Sequence, residues 1–154
     1  MNWRVFVSLK PRVIDHRGRA LEAEWRHAKL PSLDGIGTGQ VYELSGSGLS
    51  DADVQRLTES LLTDPITQTG EIVYADHRPT RSGVRRVRIW PKPGVSDPPA
   101  ETVMLGARDL GCDNIERVRT GFAYEFRGPV SRQDVKTFCE RYLMNDLVQT
   151  MEME

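Results

Sequence analysis

No apolar run in this sequence approaches the roughly 18 residues that a membrane-spanning helix needs. The opening MNWRVFVSLK alternates like a strand and lacks the long apolar core of a signal peptide, so a soluble, cytoplasmic chain is expected. Cysteine is scarce. Cys112 and Cys139 are the only two, which suits a reduced compartment and two small packing residues. His16, His27 and His77 have no Cys, Asp or Glu at zinc-ligand spacing. The chain has no G-x-x-x-x-G-K-[ST], no G-x-G-x-x-G and no G-x-S-x-G, so phosphate loops, dinucleotide folds and nucleophile elbows find no support. Charge of one sign is not in excess either: 21 basic residues stand against 22 acidic ones, which excludes a chain that binds nucleic acid by overall electrostatics. Hydrophobic content of 38% is low for one thick globule and fits two thin layers sharing an interface.

What the sequence does contain is itself, twice. Residues 38–44 read TGQVYEL and residues 120–126 read TGFAYEF. At the same offset Arg4-Val5 meets Arg86-Val87, Lys10-Pro11 meets Lys92-Pro93, Asp15 meets Asp97 and Arg26 meets Arg108. After one deleted residue near 46–49, Ser50 meets Ser131, Asp53-Val54 meets Asp134-Val135, Glu59 meets Glu140 and Gln68-Thr69 meets Gln149-Thr150. About twenty identities in one register with a single gap make a tandem duplication.

Periodicity describes each copy. Trp3, Val5, Val7 and Leu9 share one face of a strand, as do Val87, Ile89 and Pro91. Asp15 and Asp97 stand at N-cap positions, followed by helical stripes at Leu21, Trp25 and Ala28 and at Val103, Ala107 and Leu110. Residues 33–46 and 115–128 each read as a hairpin turning at Thr38-Gly39 and Thr120-Gly121. Ser50 and Ser131 open capped helices with stripes at Val54, Leu57 and Leu61 and at Val135, Phe138 and Tyr142. Runs at 66–73 and 147–153 supply a last strand. The expectation is an α+β fold of two tandem ferredoxin-like β-α-β-β-α-β units, each a four-stranded antiparallel sheet with two helices on one face, packed as a pseudo-dimer. The units span 1–73 and 84–154, and 74–83 is a polar linker able to reach about 33 Å.

The helix-free faces, carrying Phe6 and Ser8 in one copy and Arg88 and Trp90 in the other, must meet water or a partner. Glu43 and Glu125 recur at one strand position and point away from Tyr42 and Tyr124, as solvating or interface carboxylates or as an acid/base pair. A second reading stays open. Gly121-Phe122-Ala123-Tyr124 fits part of an RNA-recognition signature, Val5-Phe6-Val7 resembles its partner, and Arg78 to Lys92 is a basic stretch. Against it, the half-signatures lie in different copies. A third reading is a small-molecule sensor of ferredoxin-like fold.

Residues 5–18, VFVSLKPRVIDHRG, resemble the opening of the PurS family, the small subunit of phosphoribosylformylglycinamidine synthase. Lys92-Pro93-Gly94-Val95, Asp97-Pro98, Leu110-Gly111, Val118-Arg119-Thr120-Gly121 and the run Cys139-Glu140-Arg141-Tyr142-Leu143-Met144-Asn145 resemble the same family in the second copy. The copies depart from its pattern at Arg12, at Pro99-Ala100, and at Gln40 and Phe122. The resemblance implies a non-catalytic subunit without catalytic, cofactor or metal residues of its own. It would bridge a glutaminase subunit, which releases ammonia from glutamine, and a synthetase subunit, which uses ATP and Mg to activate a formamide oxygen that ammonia displaces. It also implies that this chain is a covalent version of a homodimer, monomeric or dimerising further. With the open sheet faces, it makes Lys10, Arg12, Glu43, Lys92, Trp90, Arg119 and Glu125 candidate partner contacts.

Overall fold

The structure, a computed structural model, describes residues 2–74 and 83–154. The linker reading of 74–83 therefore falls almost wholly outside the described residues, as do His77, Arg78 and Arg81. The first copy runs β1 (Asn2–Leu9), α1 (His16–His27), β2 (Gly35–Ser45), α2 (Asp51–Leu57) with a π-helical turn at Thr58–Leu62, and β3 (Gln68–Tyr74). The second runs β4 (Val84–Pro91), α3 (Pro98–Asp109), β5 (Arg117–Arg127), α4 (Arg132–Tyr142) and β6 (Gln149–Met153). The described strands form one six-stranded sheet, β3-β1-β2-β5-β4-β6, and every neighbouring pair is antiparallel.

The fold class and the pseudo-dimer stand, but the strand count is corrected. Each copy gives three strands to one shared sheet rather than building four of its own. The expected hairpins do not exist, because 35–45 and 117–127 are each a single strand of 11 residues. Gly39 and Gly121 are not at positive φ. Their role is close approach. A Cβ at Gly39 would lie 2.4 Å from the Val7 carbonyl oxygen, and one at Gly121 would lie 2.6 Å from that of Ile89. The preceding threonine has its own task. Asp15, the N-cap of α1, accepts from the Gly18 N–H at 2.8 Å, the Thr38 N–H at 2.7 Å and the Thr38 hydroxyl at 2.8 Å. Asp97 repeats this with Ala100 and Thr120. One carboxylate thus caps a helix and occupies the edge of a strand beyond the end of its neighbour.

β2 and β5 join the two copies, with Gln40 opposite Phe122. Those two positions are repeat counterparts, so a pseudo-two-fold axis passes between them and the interface is isologous. Pairing is edge to edge, not through the helix-free faces. Both hydrophobic cores then draw on both copies. Trp3, Val5, Leu44, Val54 and Leu57 of the first pack with Val103 and Ala107 of the second. Leu21, Trp25 and Ile36 of the first pack with Val87, Phe126, Val135 and Phe138 of the second. Neither copy completes a core alone. Among the striped positions, Leu110 and Tyr142 end up exposed at the last turns of their helices.

The end of α1 carries a small local conflict. Lys29 has φ 56°, whereas its counterpart Gly111 takes φ 76° without a Cβ penalty. Lys29→Gly is expected to stabilise the protein by about 0.5–1 kcal/mol and raise Tm by roughly 2–4 °C. An unchanged or lower Tm in thermal unfolding would remove that reading.

Candidate functional site

All four helices cover one face of the sheet, and the side chains of the other face alternate with the core positions along each strand. The expectation for that second face is contact with water or a partner. Instead Arg88 is 4% exposed and Trp90 1% exposed, without a helix above them. The reason is curvature. Arg4 on β1 and Glu152 on β6 are four strand spacings apart, about 19 Å on a flat sheet. Yet both terminal nitrogens of Arg4 donate to the Glu152 carboxylate, with Nη2 to Oε2 at 3.0 Å. The face is therefore deeply concave, and its side chains meet across the hollow.

Within the hollow, Arg4 Nε donates to Glu43 at 3.0 Å, and Arg119 Nε lies 3.7 Å from the other Glu43 oxygen. The Trp90 ring lies beneath both guanidinium groups, with Arg119 at 4.0 Å and Arg4 at 5.3 Å from the centroid. Arg88 sits 4.9 Å above Phe6 and pairs with Glu152 and Glu154. At the other end, Arg86 Nε is 3.2 Å from Glu125, and Arg127 is 4.0 Å from the same carboxylate. Beside these lies a cavity of about 390 Å³, floored by Gly37, Gly39 and Ala123 and bordered by Phe6, Ser8, Lys10, Glu71, Arg86 and Arg88.

Burial alone would push the Glu152 carboxyl up. The hydrogen bonds from Arg4 and the charges of Arg4, Arg88 and Arg119 outweigh it and hold the carboxyl below its ordinary value of 4.5. A depressed folded pKa means that the stabilisation is complete above 4.5 and is lost as pH falls through the folded value. Urea midpoints are expected to fall with pH below about 4.5, and Glu152→Gln to flatten that fall. An equally steep acid limb in the variant would show that Glu152 does not contribute.

The candidate contacts separate into two groups. Glu43, Trp90 and Arg119 are brought together in the hollow, and Glu125 stands at the cavity. Lys10 lies at the cavity rim, with Nζ donating to the Pro65 carbonyl at 2.5 Å. Arg12 and Lys92 are exposed in two equivalent turns, each closed by a lysine carbonyl and a valine N–H. Sequence reasoning missed Arg4, Arg86 and Glu152. The signal was available, since Arg4/Arg86 and Glu71/Glu152 recur in both copies in phase with the helix-free face.

An RNA-stacking platform does not form. Tyr124 and Phe126 are buried in the core, Phe122 is 42% exposed with the Arg17 guanidinium over its ring, and Phe6 lies under Arg88. Arg86 and Arg88 of the basic stretch are ion-paired internally. Both cysteines are buried, and burial pushes the Cys139 thiol up to about 12, so it is packing material and not a thiolate nucleophile. Among the described residues, no three or more His, Cys, Asp or Glu side chains gather to hold a metal, and no helix is long and apolar enough to cross a membrane.

The family model described as "PurS: Phosphoribosylformylglycinamidine (FGAM) synthase" matches twice, over residues 2–76 and 84–154. Among solved structures, the chain is similar to PurS of B. subtilis, with 24% identity and a TM-score of 0.43 over 47% of this chain and 94% of that one. It is also similar to Methanocaldococcus jannaschii PurS, described as one of the subunits of formylglycinamide ribonucleotide amidotransferase in the purine biosynthetic pathway. That match has 17% identity and a TM-score of 0.43 over 47% of this chain and 92% of that one. No curated protein matches the chain.

Proposed function

The chain belongs to the PurS family of phosphoribosylformylglycinamidine synthase, and from that premise we propose that it is a non-catalytic subunit of that enzyme in purine biosynthesis, bridging the glutaminase and the ATP-dependent synthetase and helping ammonia pass between them. The observation that carries this reading is the double family match on a chain whose two copies pair about a pseudo-two-fold axis. Such a body presents two related but unlike ends, which suits a bridge between two different partners. Ile66 and Leu147 mark those ends. They are equivalent residues, each 80% exposed, in turns hydrogen-bonded to the Lys10 and Lys92 backbones through Thr67 and Val148. ATP, Mg and glutamine would be handled by the partner subunits.

The test is reconstitution. The tagged full chain is mixed with the glutaminase and synthetase subunits from the same cell, with ADP and glutamine present, and resolved by sizing chromatography. A ternary complex is expected, with synthase activity from glutamine depending on this chain. Absence of binding to either subunit, with salt-dependent binding of single-stranded RNA instead, would overturn the proposal.

A further inference from the structure

The pseudo-two-fold axis maps one half of the concave hollow onto the other, and the halves are not alike. In one half Trp90, Arg119 and Val41 fill the space, and all three are buried or half-buried. Their counterparts in the other half are Ser8, Gly37 and Ala123, which line the 390 Å³ cavity. Duplication followed by divergence has therefore plugged one of two equivalent sites and left the other open.

The ionic groups show what the open site lacks. Arg4 spends Nε on Glu43 and its terminal fork on the Glu152 carboxylate. Arg86, its counterpart, keeps the ion pair, with Nε 3.2 Å from Glu125, but among the described residues that Nε makes no hydrogen bond. Among the described residues no second carboxylate lies within 4 Å of it. The equivalent of Glu152 is Glu71, which lines the same cavity and has no ion pair among the described residues. Strand register explains why. Glu152 stands opposite Arg88, which helps hold it over the hollow, whereas Glu71 stands opposite Phe6, which offers it no charge. The result, among the described residues, is a half-buried guanidinium with one carboxylate partner and an open fork, beside Gly39 and beside Gly37, over which the Arg127 guanidinium lies.

We propose that this cavity binds a small monocarboxylate, whose carboxylate takes on Arg86 the place that the Glu152 carboxylate takes on Arg4. The volume sits near the lower end of ligand pockets, about 300–1,000 Å³, and suits a molecule the size of an amino acid or short-chain acid. Of the four cationic side chains in the lining, Arg88 is already paired with Glu152 and Glu154 and Arg127 stands 4.0 Å from Glu125, which leaves the Arg86 fork as the place for one carboxylate. Phe6 and Ala123 in the lining face the ligand's carbon skeleton. This site is separate from the bridging role and does not depend on it.

The test uses the full chain in amide-resolved NMR titrations at constant ionic strength, with butyrate, L-alanine and inorganic phosphate as probes and neutral butyramide as the control. Saturable shifts at Ser8, Gly37, Arg86 and Ala123 are expected with butyrate or L-alanine, with Kd of order millimolar or tighter. Binding should weaken at least about tenfold in Arg86→Gln and in the S8W/A123V pair, which installs two of the three side chains that plug the other half. If a variant fails to fold, the wild-type comparison alone decides, because butyramide should bind at least about tenfold more weakly than butyrate. Absence of saturation by any carboxylate at about 50 mM would overturn the proposal. So would equal binding of butyramide, tighter binding of phosphate, or unweakened binding by a folded variant.

Discussion

Trp25→Ala is expected to lower the unfolding free energy by about 3–5 kcal/mol. Trp25 is 1% exposed and lies on α1 of the first copy, but its ring partners belong to the second. Phe126 on β5 is 5.8 Å away and Phe138 on α4 is 5.1 Å away, both at tilted angles. Its indole N–H donates to the Pro31 carbonyl at 2.7 Å, which fixes the chain leaving the helix. Removing the ring opens a cavity on the seam between the copies, where collapse would require a helix of one copy to shift against a strand of the other. Urea unfolding followed by far-UV circular dichroism and by the remaining tryptophans should show one coincident transition at a lower midpoint. A loss below about 1 kcal/mol, or two separate transitions, would contradict the shared core.

Arg4→Ala is expected to cost about 2–4 kcal/mol, the range for breaking a largely buried ion pair by deleting one partner, reduced for the residual exposure of its side chain. Its deletion leaves Glu43 and Glu152 facing each other's charge with only Arg119 and Arg88 to balance them. It also removes one of the two guanidinium groups that shelter Trp90. Arg86→Ala is the internal control. The equivalent residue has one ionic partner among the described residues, so about half the loss or less is expected. Both are read by urea denaturation at neutral pH and low salt. Equal losses would show that the Glu152 contact adds nothing, and an R4A/E152Q pair with additive effects would say the same.

Much of this fold was legible. The duplication, the strands at Trp3–Leu9 and Val87–Pro91, the caps at Asp15, Asp97, Ser50 and Ser131 and most of the helical stripes follow from periodicity and register. Thr38-Gly39 misled because a glycine at positive φ and a glycine in close approach look identical in sequence. Only the Val7 carbonyl at 2.4 Å tells them apart, and it lies on another strand. Arg88 and Trp90 misled for a related reason. Alternation assigns them correctly to the helix-free face, but how far a sheet curls depends on the summed twist of six strands. The candidate site was half legible. Glu43, Trp90, Arg119 and Glu125 share the hollow, while Arg12 and Lys92 rest on the family resemblance and stand in turns outside it.

The shared sheet has a consequence during synthesis. When the first copy leaves the ribosome, β2 presents 11 residues of unpaired edge, and its natural neighbour β5 lies some 80 codons further along the message. At about 5–20 residues per second that wait lasts roughly 4–16 s. Because β2 and β5 are copies of one strand, the edge that suits β5 also nearly suits the β2 of an adjacent nascent chain on the same polysome. Departures from self-symmetry at the axis, Gln40 against Phe122, then bias each strand towards its own chain's second half and away from its neighbour's first.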